Sequence, residues 1–364
     1  MLSPAPAAFH ILAYAQTLNG GGVERALLRL ARGWNEMGRR VTLLIGDASG
    51  PLAAELPEGV DVHILGDPSL GALLALTGLV SALSPDIVFC PGNHYSALAA
   101  LTRLRVGRDC PPVVAKVSNR LARTDQPFGI AQGYRAWLKL HPRFIDHVVA
   151  MSPAMRDEAT RMMRLAPERI SVIPNPPVPR LPTGIPSWLP SGRFLLGVGR
   201  LTMQKRWDRM IEALPRLARR DTELVILGEG DARPALEAQV SSLGLGGRVH
   251  LPGYHPDPRP AFARAAAVVL TSDFEGVPGV LREALAEGAP VVATDSSVAV
   301  REIVSSPAQG SVVPAGDAGA LVAALDHWLM PDRARPAPVP EPGTDAALRY
   351  LELFDRIVAE RLRA

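Results

Sequence analysis

Residues 194–207 read FLLGVGRLTMQKRW. The apolar run 194–198 has strand character and helical spacing begins at Trp207, so strand, loop and helix follow one another directly. Upstream, the segment 174–190 holds seven prolines, at 174, 176, 177, 179, 182, 186 and 190. Proline interrupts both helix and sheet hydrogen bonding, so this segment reads as a linker and the strand at 194 as a new start. Downstream the alternation continues: a helix over 207–219, a strand over 223–227, a helix over 232–243 and a strand over 249–251. Helices over 260–266 and 278–286 then alternate with strands over 267–271 and 291–293. A pattern of this kind predicts a parallel sheet covered by helices on both faces.

The first half has the same rhythm. Strands are expected over 11–14, 41–45, 87–90 and 113–117, a helix over 23–37, and a strand–helix–strand unit over 147–151, 153–164 and 170–173. Ser152 followed by Pro153 is a good helix start. The uncharged stretch 69–85 is too short for the roughly 20 apolar residues of a membrane span. It reads as a core helix built on Leu70, Leu73, Leu74, Leu76, Val80 and Leu83, with a shallow membrane-facing role as the other reading. The fold class expected is therefore α/β, two Rossmann-like doubly wound parallel-sheet domains facing a cleft. Their bounds are 1–175 and 191–330, joined by the linker 176–190. A Pro-rich break and a terminal helix fill 331–364, the helix over 345–363 using Leu348, Leu351, Phe354 and Val358 to pack back on the first domain.

Composition narrows the chemistry. The chain has 364 residues, 39 basic against 36 acidic, for a formal charge of +3, and its aromatics make up 5%. That charge is too small to point to nucleic acid, and a small anionic ligand suits it equally well. Cys90 and Cys110 cannot form a disulfide framework or a four-ligand metal site. The amino-terminal residues 1–9 lack the basic region of a signal peptide, so a cytoplasmic location is expected.

Three constellations carry the candidate chemistry. Gly20, Gly21 and Gly22 lie between the opening strand and its helix, where backbone amides and the helix amino end suit an anion. The surrounding residues lack the P-loop and dinucleotide fingerprints. Beyond the strand at 194–198, Arg200 and Lys205 offer a fork and a point charge for a diphosphate, and fixed cations there stabilise a departing nucleoside diphosphate. The third, residues 273–283, reads DFEGVPGVLRE. Glu275 falls in a strand-to-helix loop and Glu283 inside the next helix. Ionised carboxylates only accept hydrogen bonds, which suits sugar hydroxyls and a ribose diol. Each constellation alone also has a plain role: a flexible turn, two solvated cations, and carboxylates favoured near a helix start.

The pair Glu275 and Glu283, an E-x7-E pattern followed by ALAEGAPVVAT over 284–294, resembles the retaining family 4 glycosyltransferases of GT-B fold. The likeness runs in order along nearly the whole chain, through 20–24, 170–176, Gly199-Arg200, Lys205, 227–230 and 251–254. It implies transfer of a sugar from a nucleotide-diphosphate sugar, UDP or GDP, with retention at the anomeric carbon. The implied acceptor is a hydroxyl of a glycan, a glycolipid or a lipid-linked molecule in cell-envelope or polysaccharide biosynthesis. It further implies that Arg200 and Lys205 hold the diphosphate, Glu283 the ribose and Glu275 the donor sugar, while Gly228 and Gly253 frame the nucleoside. Gly21, Gly22, Gly276, Val277, Pro278, Gly279 and Val280 complete the implied donor site. Attack from the leaving-group face, with the phosphate accepting the acceptor's proton, needs no enzyme nucleophile.

Many relatives carry a histidine after the strand matching 113–117, but this chain has Ser118-Asn119-Arg120. Asn119 is the candidate there and His94 its rival. No DxD occurs, so no metal or other cofactor is expected. The basic series Arg103, Arg105, Arg108, Arg120, Arg123, Arg135, Lys139 and Arg143 suits an anionic membrane surface or a lipid-diphosphate acceptor, or is simply solvated. A nucleotide-sugar epimerase of similar architecture and a noncatalytic nucleotide-sugar-binding protein remain the alternatives.

Overall fold

The computed structural model describes residues 8–122, 127–179, 184 and 186–363. Arg123, Pro182 and the stretch 1–7 lie outside the described residues. Two compact units emerge, one running to Pro176 and resuming at Pro342, the other Pro177–Glu341.

The first unit holds β1 (His10–Thr17), α1 (Gly22–Glu36), β2 (Arg40–Asp47), β3 (Asp61–Ile64), α2 (Ala75–Leu83), β4 (Ile87–Cys90) and α3 (Ser96–Val106). It continues with β5 (Val113–Lys116), α4 (Phe128–Leu138), β6 (His147–Ala150), α5 (Pro153–Met163) and β7 (Ile170–Val172). The sheet order is β3-β2-β1-β4-β5-β6-β7, with every neighbouring pair parallel. Order therefore reverses between β1 and β4, the place where open α/β sheets leave a crevice. Strands β4, β5 and β6 are buried along their whole length, which is why they read as apolar runs, interrupted only by Lys116 and His147 at strand ends. Ser152 caps α5, its hydroxyl accepting from the Met155 N–H at 3.3 Å.

Two details depart from expectation. Strand β3 was not foreseen, because its Asp-Val-His-Ile sequence lies at the sheet edge with no buried residue to pattern it. The stretch 69–85 is not one core helix. A 3-10 turn (Ala72–Leu74) precedes α2, and Leu73, Leu76 and Val80 form the single buried stripe. Leu70 and Leu74 stay 47% and 37% exposed, since a helix lying on a sheet covers only one of its faces.

The second unit holds β8 (Phe194–Val198), α6 (Trp207–Ala213), β9 (Glu223–Leu227), α7 (Arg233–Ser242), β10 (Val249–Gly253) and α8 (Arg259–Phe262). Then come β11 (Ala267–Leu270), α9 (Gly279–Ala286), β12 (Val291–Thr294), α10 (Val300–Ile303), β13 (Gly310–Val313) and α11 (Ala318–Trp328). Its parallel sheet runs β10-β9-β8-β11-β12-β13. Trp207, Met210, Leu236, Leu325 and Trp328 fill one face of it, and Phe262, Leu281, Leu285 and Val300 the other. Helix α6 stops at Ala213 instead of reaching 219, because Pro215 has no N–H to continue it and the chain tightens into a 3-10 turn over Leu214–Arg216.

The chain ends in α12 (Ala346–Arg363), which belongs to the first unit. Tyr350 and Phe354 pack edge-on against Trp34 of α1 and Phe89 of β4, with ring centroids 5.3–6.2 Å apart. Ala346, Tyr350, Leu351, Leu353, Phe354 and Ile357 are buried with Val358 packed against the same core, so of the four expected apolar positions only Leu348, 49% exposed, points away. No described helix is long and apolar enough to cross a membrane.

Candidate active site

Beyond the carboxyl ends of β8, β9 and β10 three loops share one backbone floor. A side chain on Gly228 would place its Cβ 2.0 Å from the Gly199 carbonyl oxygen, so only glycine allows the loops after β8 and β9 to touch. Two hydrogen bonds close this floor: Leu201 N–H donates to the Glu229 carbonyl and Gly228 N–H to that of Gly253, each at 2.8 Å. Arg200 projects from it. Its side chain is exposed, while its carbonyl accepts from the Trp207 indole at 3.0 Å.

The loop after β11 is fastened to the loop after β8. The Thr271 hydroxyl contacts the carbonyls of Lys205 and Arg206 at 2.9 Å, and Gln204 donates to the Phe274 carbonyl at 2.8 Å. Beneath them Asp273 receives Arg206 at 3.3 Å and Arg209 at 2.7 Å. Lys205 and Glu275 are thereby brought together, with Nζ 2.6 Å from Oε1. Ser272, fully buried, donates its hydroxyl to the same Oε1 at 2.6 Å. Glu275 itself is 7% exposed and its amide donates to the Ser296 carbonyl at 3.0 Å. The ammonium and the hydroxyl satisfy the hydrogen-bonding needs of a carboxylate this enclosed.

Gly276 is held by Ser297, whose hydroxyl donates to its carbonyl at 2.6 Å. Val277 and Pro278 carry the chain to Gly279, where α9 begins with an extended Pro278 and no side-chain cap. The first-turn amides of α9 have no backbone partner within the helix, as at any helix start. Glu283 sits one turn in, partly exposed, its side chain folded back toward Gly279. Arg200, Lys205, Gly228, Gly253, Glu275 and Glu283 thus all lie at the carboxyl ends of one sheet.

Gly21, Gly22 and Asn119 belong to the first unit instead. Gly21 is the extended residue before α1, and Gly22 opens that helix. Asn119 accepts from the Arg120 N–H at 2.9 Å, a local turn contact. His94 is exposed, with its ring on Tyr95 at 3.8 Å. Of the basic series, Arg103 pairs with Asp146, and Arg105, Arg108, Arg135, Lys139 and Arg143 are exposed.

Two groups of residues escaped the sequence reading. Ser272, Gln204 and Thr271 hold the carboxylate loop; the hydroxyl pair directly after strand β11 was their only signal. In the first unit Lys116 is 1% exposed at the end of β5 and donates to Asn175 Oδ1 at 3.2 Å. Burial lowers its pKa to about 8, although Glu24 and Cys90 pull the other way. Tyr95 donates to Glu24 at 3.4 Å and accepts from the Gln16 amide at 2.8 Å, so the glycine turn lies over a buried polar cluster. No group of three metal-ligating side chains occurs among the described residues.

Residues 192–330 match the model of glycosyl transferases group 1, and residues 20–177 that of glycosyltransferase family 4. An N-acetylgalactosamine-N,N'-diacetylbacillosaminyl-diphospho-undecaprenol 4-alpha-N-acetylgalactosaminyltransferase from Campylobacter jejuni is 34% identical over 145 residues, 40% of this chain and only 40% of that relative's length. A GDP-mannose-dependent alpha-mannosyltransferase from Mycolicibacterium smegmatis is 27% identical over 352 residues, 87% of each chain. Among solved structures, Anabaena Alr3699/HepE in complex with UDP-glucose has a TM-score of 0.70 at 22% identity, over 97% of this chain and 99% of that one. That likeness fixes the fold as the two-domain Rossmann-like GT-B type. With one family model on each parallel-sheet unit, the chain belongs to the group 1, family 4 glycosyltransferases.

Proposed function

We propose that the protein moves a sugar from a UDP- or GDP-sugar to a hydroxyl of a glycan, glycolipid or lipid-linked acceptor in cell-envelope or polysaccharide biosynthesis, with retention of configuration and without a metal. One observation carries this reading: the buried Glu275, held by Lys205 and Ser272, stands in the same group of strand-end loops as Arg200 and the uncapped start of α9. An acceptor-only carboxylate suits sugar hydroxyls, while a guanidinium, an ammonium and the amides of a helix start suit a diphosphate. The relatives' names support the donor class, since one is a GDP-mannose-dependent mannosyltransferase and one structure holds UDP-glucose.

In this mechanism the bond from the anomeric carbon to the diphosphate oxygen breaks, and the acceptor oxygen bonds to that carbon on the same face. The acceptor's proton passes to the leaving phosphate oxygen. Charge grows on the diphosphate as the bond breaks, so Arg200 and Lys205 contribute most in the transition state. Lys205 is already paired with Glu275, and the incoming diphosphate offers it a second anion. Glu283 holds the ribose. The exposed basic residues Arg105, Arg108, Arg135 and Lys139 suit contact with an anionic membrane carrying the acceptor.

The test is a panel of UDP- and GDP-sugars incubated with a cell-envelope glycolipid extract in EDTA, with proton NMR of the anomeric centre of the product. The reading requires transfer with the donor's configuration kept, and loss of at least 100-fold in Glu275→Gln. An inverted product, or turnover only with a divalent metal, overturns the corresponding part.

A further inference from the structure

The amino ends of β8, β11 and β12 lie across the second sheet from Arg200 and Glu275, about 16 Å away for a five-residue strand. There, Arg193, Arg264, Arg333 and Arg335, with Gly192 and Trp328, line a cavity of about 280 Å³. No carboxylate lines it, and the hydrogen bonds of the four guanidiniums go to neutral acceptors. Arg193 donates to the carbonyls of Leu329, Met330 and Pro331 at 3.2 Å, and Arg335 to those of Phe262 and Ala265 at 2.8 and 2.9 Å. Arg264 donates to the Pro190 carbonyl at 2.8 Å, and Arg333 reaches His327 at 2.7 Å and covers the Trp328 ring at 5.7 Å.

Several other arginines of the unit differ. Arg206, Arg209, Arg233 and Arg259 are each matched by a carboxylate at 2.7–2.8 Å. Carbonyl oxygens orient a guanidinium without cancelling its charge, and each guanidinium has five N–H groups to satisfy. Arg335 is solvent-exposed as a residue, but partial burial of its guanidinium lowers its pKa. Clustered, partly dehydrated cations of one sign call for an anion.

We propose that this cavity is a second ligand site, separate from the donor site, that takes a small multiply charged phosphate group such as pyrophosphate or the phosphate end of a larger molecule. Arg193 and Arg335 are the fixed wall, tied to the backbone by several hydrogen bonds; Arg264 and Arg333, each held by one, close on the anion. The volume lies at the low end for a ligand pocket and suits a pyrophosphate better than a whole nucleotide sugar.

The test titrates the full chain with inorganic pyrophosphate by calorimetry at low salt. The Arg200→Ala variant, in which the donor-side phosphate contacts are weakened, is compared with the same chain carrying Arg264→Ser and Arg333→Ser. Binding at least tenfold weaker in the latter, with an unchanged unfolding temperature, is the expected result. A double lysine replacement at the two positions, which keeps charge, restores part of the affinity. A parallel sedimentation with phosphatidylglycerol vesicles separates the sources. Loss of pyrophosphate binding assigns a soluble phosphate, and loss of vesicle binding alone assigns a lipid headgroup. Equal affinity and stoichiometry with and without the two arginines, or no binding of either probe, overturns the proposal.

Discussion

One oxygen of Glu275 receives both Lys205 and Ser272, so the carboxylate is oriented before any ligand arrives. Lys205 and Glu283 are expected to fail differently when removed. Lys205→Ala should lower kcat more than it raises the donor KM, because the diphosphate gains charge only in the transition state. Glu283→Ala should mainly weaken donor binding, by about tenfold for one lost charged hydrogen bond. Steady-state kinetics on both variants decide the matter, and unchanged constants would sink the site. Lys116 offers a test of another kind. Its pKa falls from the ordinary 10.5 to about 8 on folding. Between those values the unfolded chain holds a proton that the folded chain lacks, so stability rises with pH through that window and the charge penalises the fold below it. Lys116→Met should therefore stabilise the protein at pH 7 by about 1–3 kcal/mol, with the gain fading above pH 10. Urea unfolding at the two pH values measures it; a less stable variant at pH 7 contradicts it.

At the scale of elements, the strands most easily read were those buried on both faces. Ile87–Cys90 and residues 291–293 are unbroken apolar runs because helices cover each side. The edge strand Asp61–Ile64 left no such trace, and the length of α6 depended on a proline whose effect shows only when neighbouring turns are in place. Helix α12 was legible as a helix, and Leu351, Phe354 and Val358 of its expected apolar face do reach the core, whereas Leu348 does not. Tyr350 and Ile357 fill the core where Leu348 had been expected to contribute, since rotation about the axis is set by Trp34 and Phe89 on other elements. Phe354→Ala should cost about 3–5 kcal/mol, as for a fully buried aromatic in a core. Chemical denaturation checks this, and a loss below about 1 kcal/mol would show that α12 is not part of the first unit's core.

At the scale of the whole molecule, the motifs were legible because backbone geometry demands them. Gly228 is required where two loops touch, and acidic residues recur eight positions apart across a loop and the start of a helix. The partners that hold them were not legible. Ser272 and Gln204 are ordinary polar residues until the fold sets them against Glu275 and Phe274. The arginine-lined cavity was invisible for the same reason, its members coming from positions 193 to 335. The most direct test of the donor site is thermal unfolding in EDTA with UDP, GDP, ADP and their sugar conjugates, for wild type, Arg200→Ala and Glu283→Ala. A ligand at 100 times its dissociation constant adds about 2.7 kcal/mol, a shift of a few degrees in a chain of this size. One nucleoside diphosphate series should raise the wild-type transition without metal, and at the same concentration raise it by about half as much or less in both variants. A transition that no nucleoside diphosphate moves, or one moved equally in all three proteins, would contradict the account.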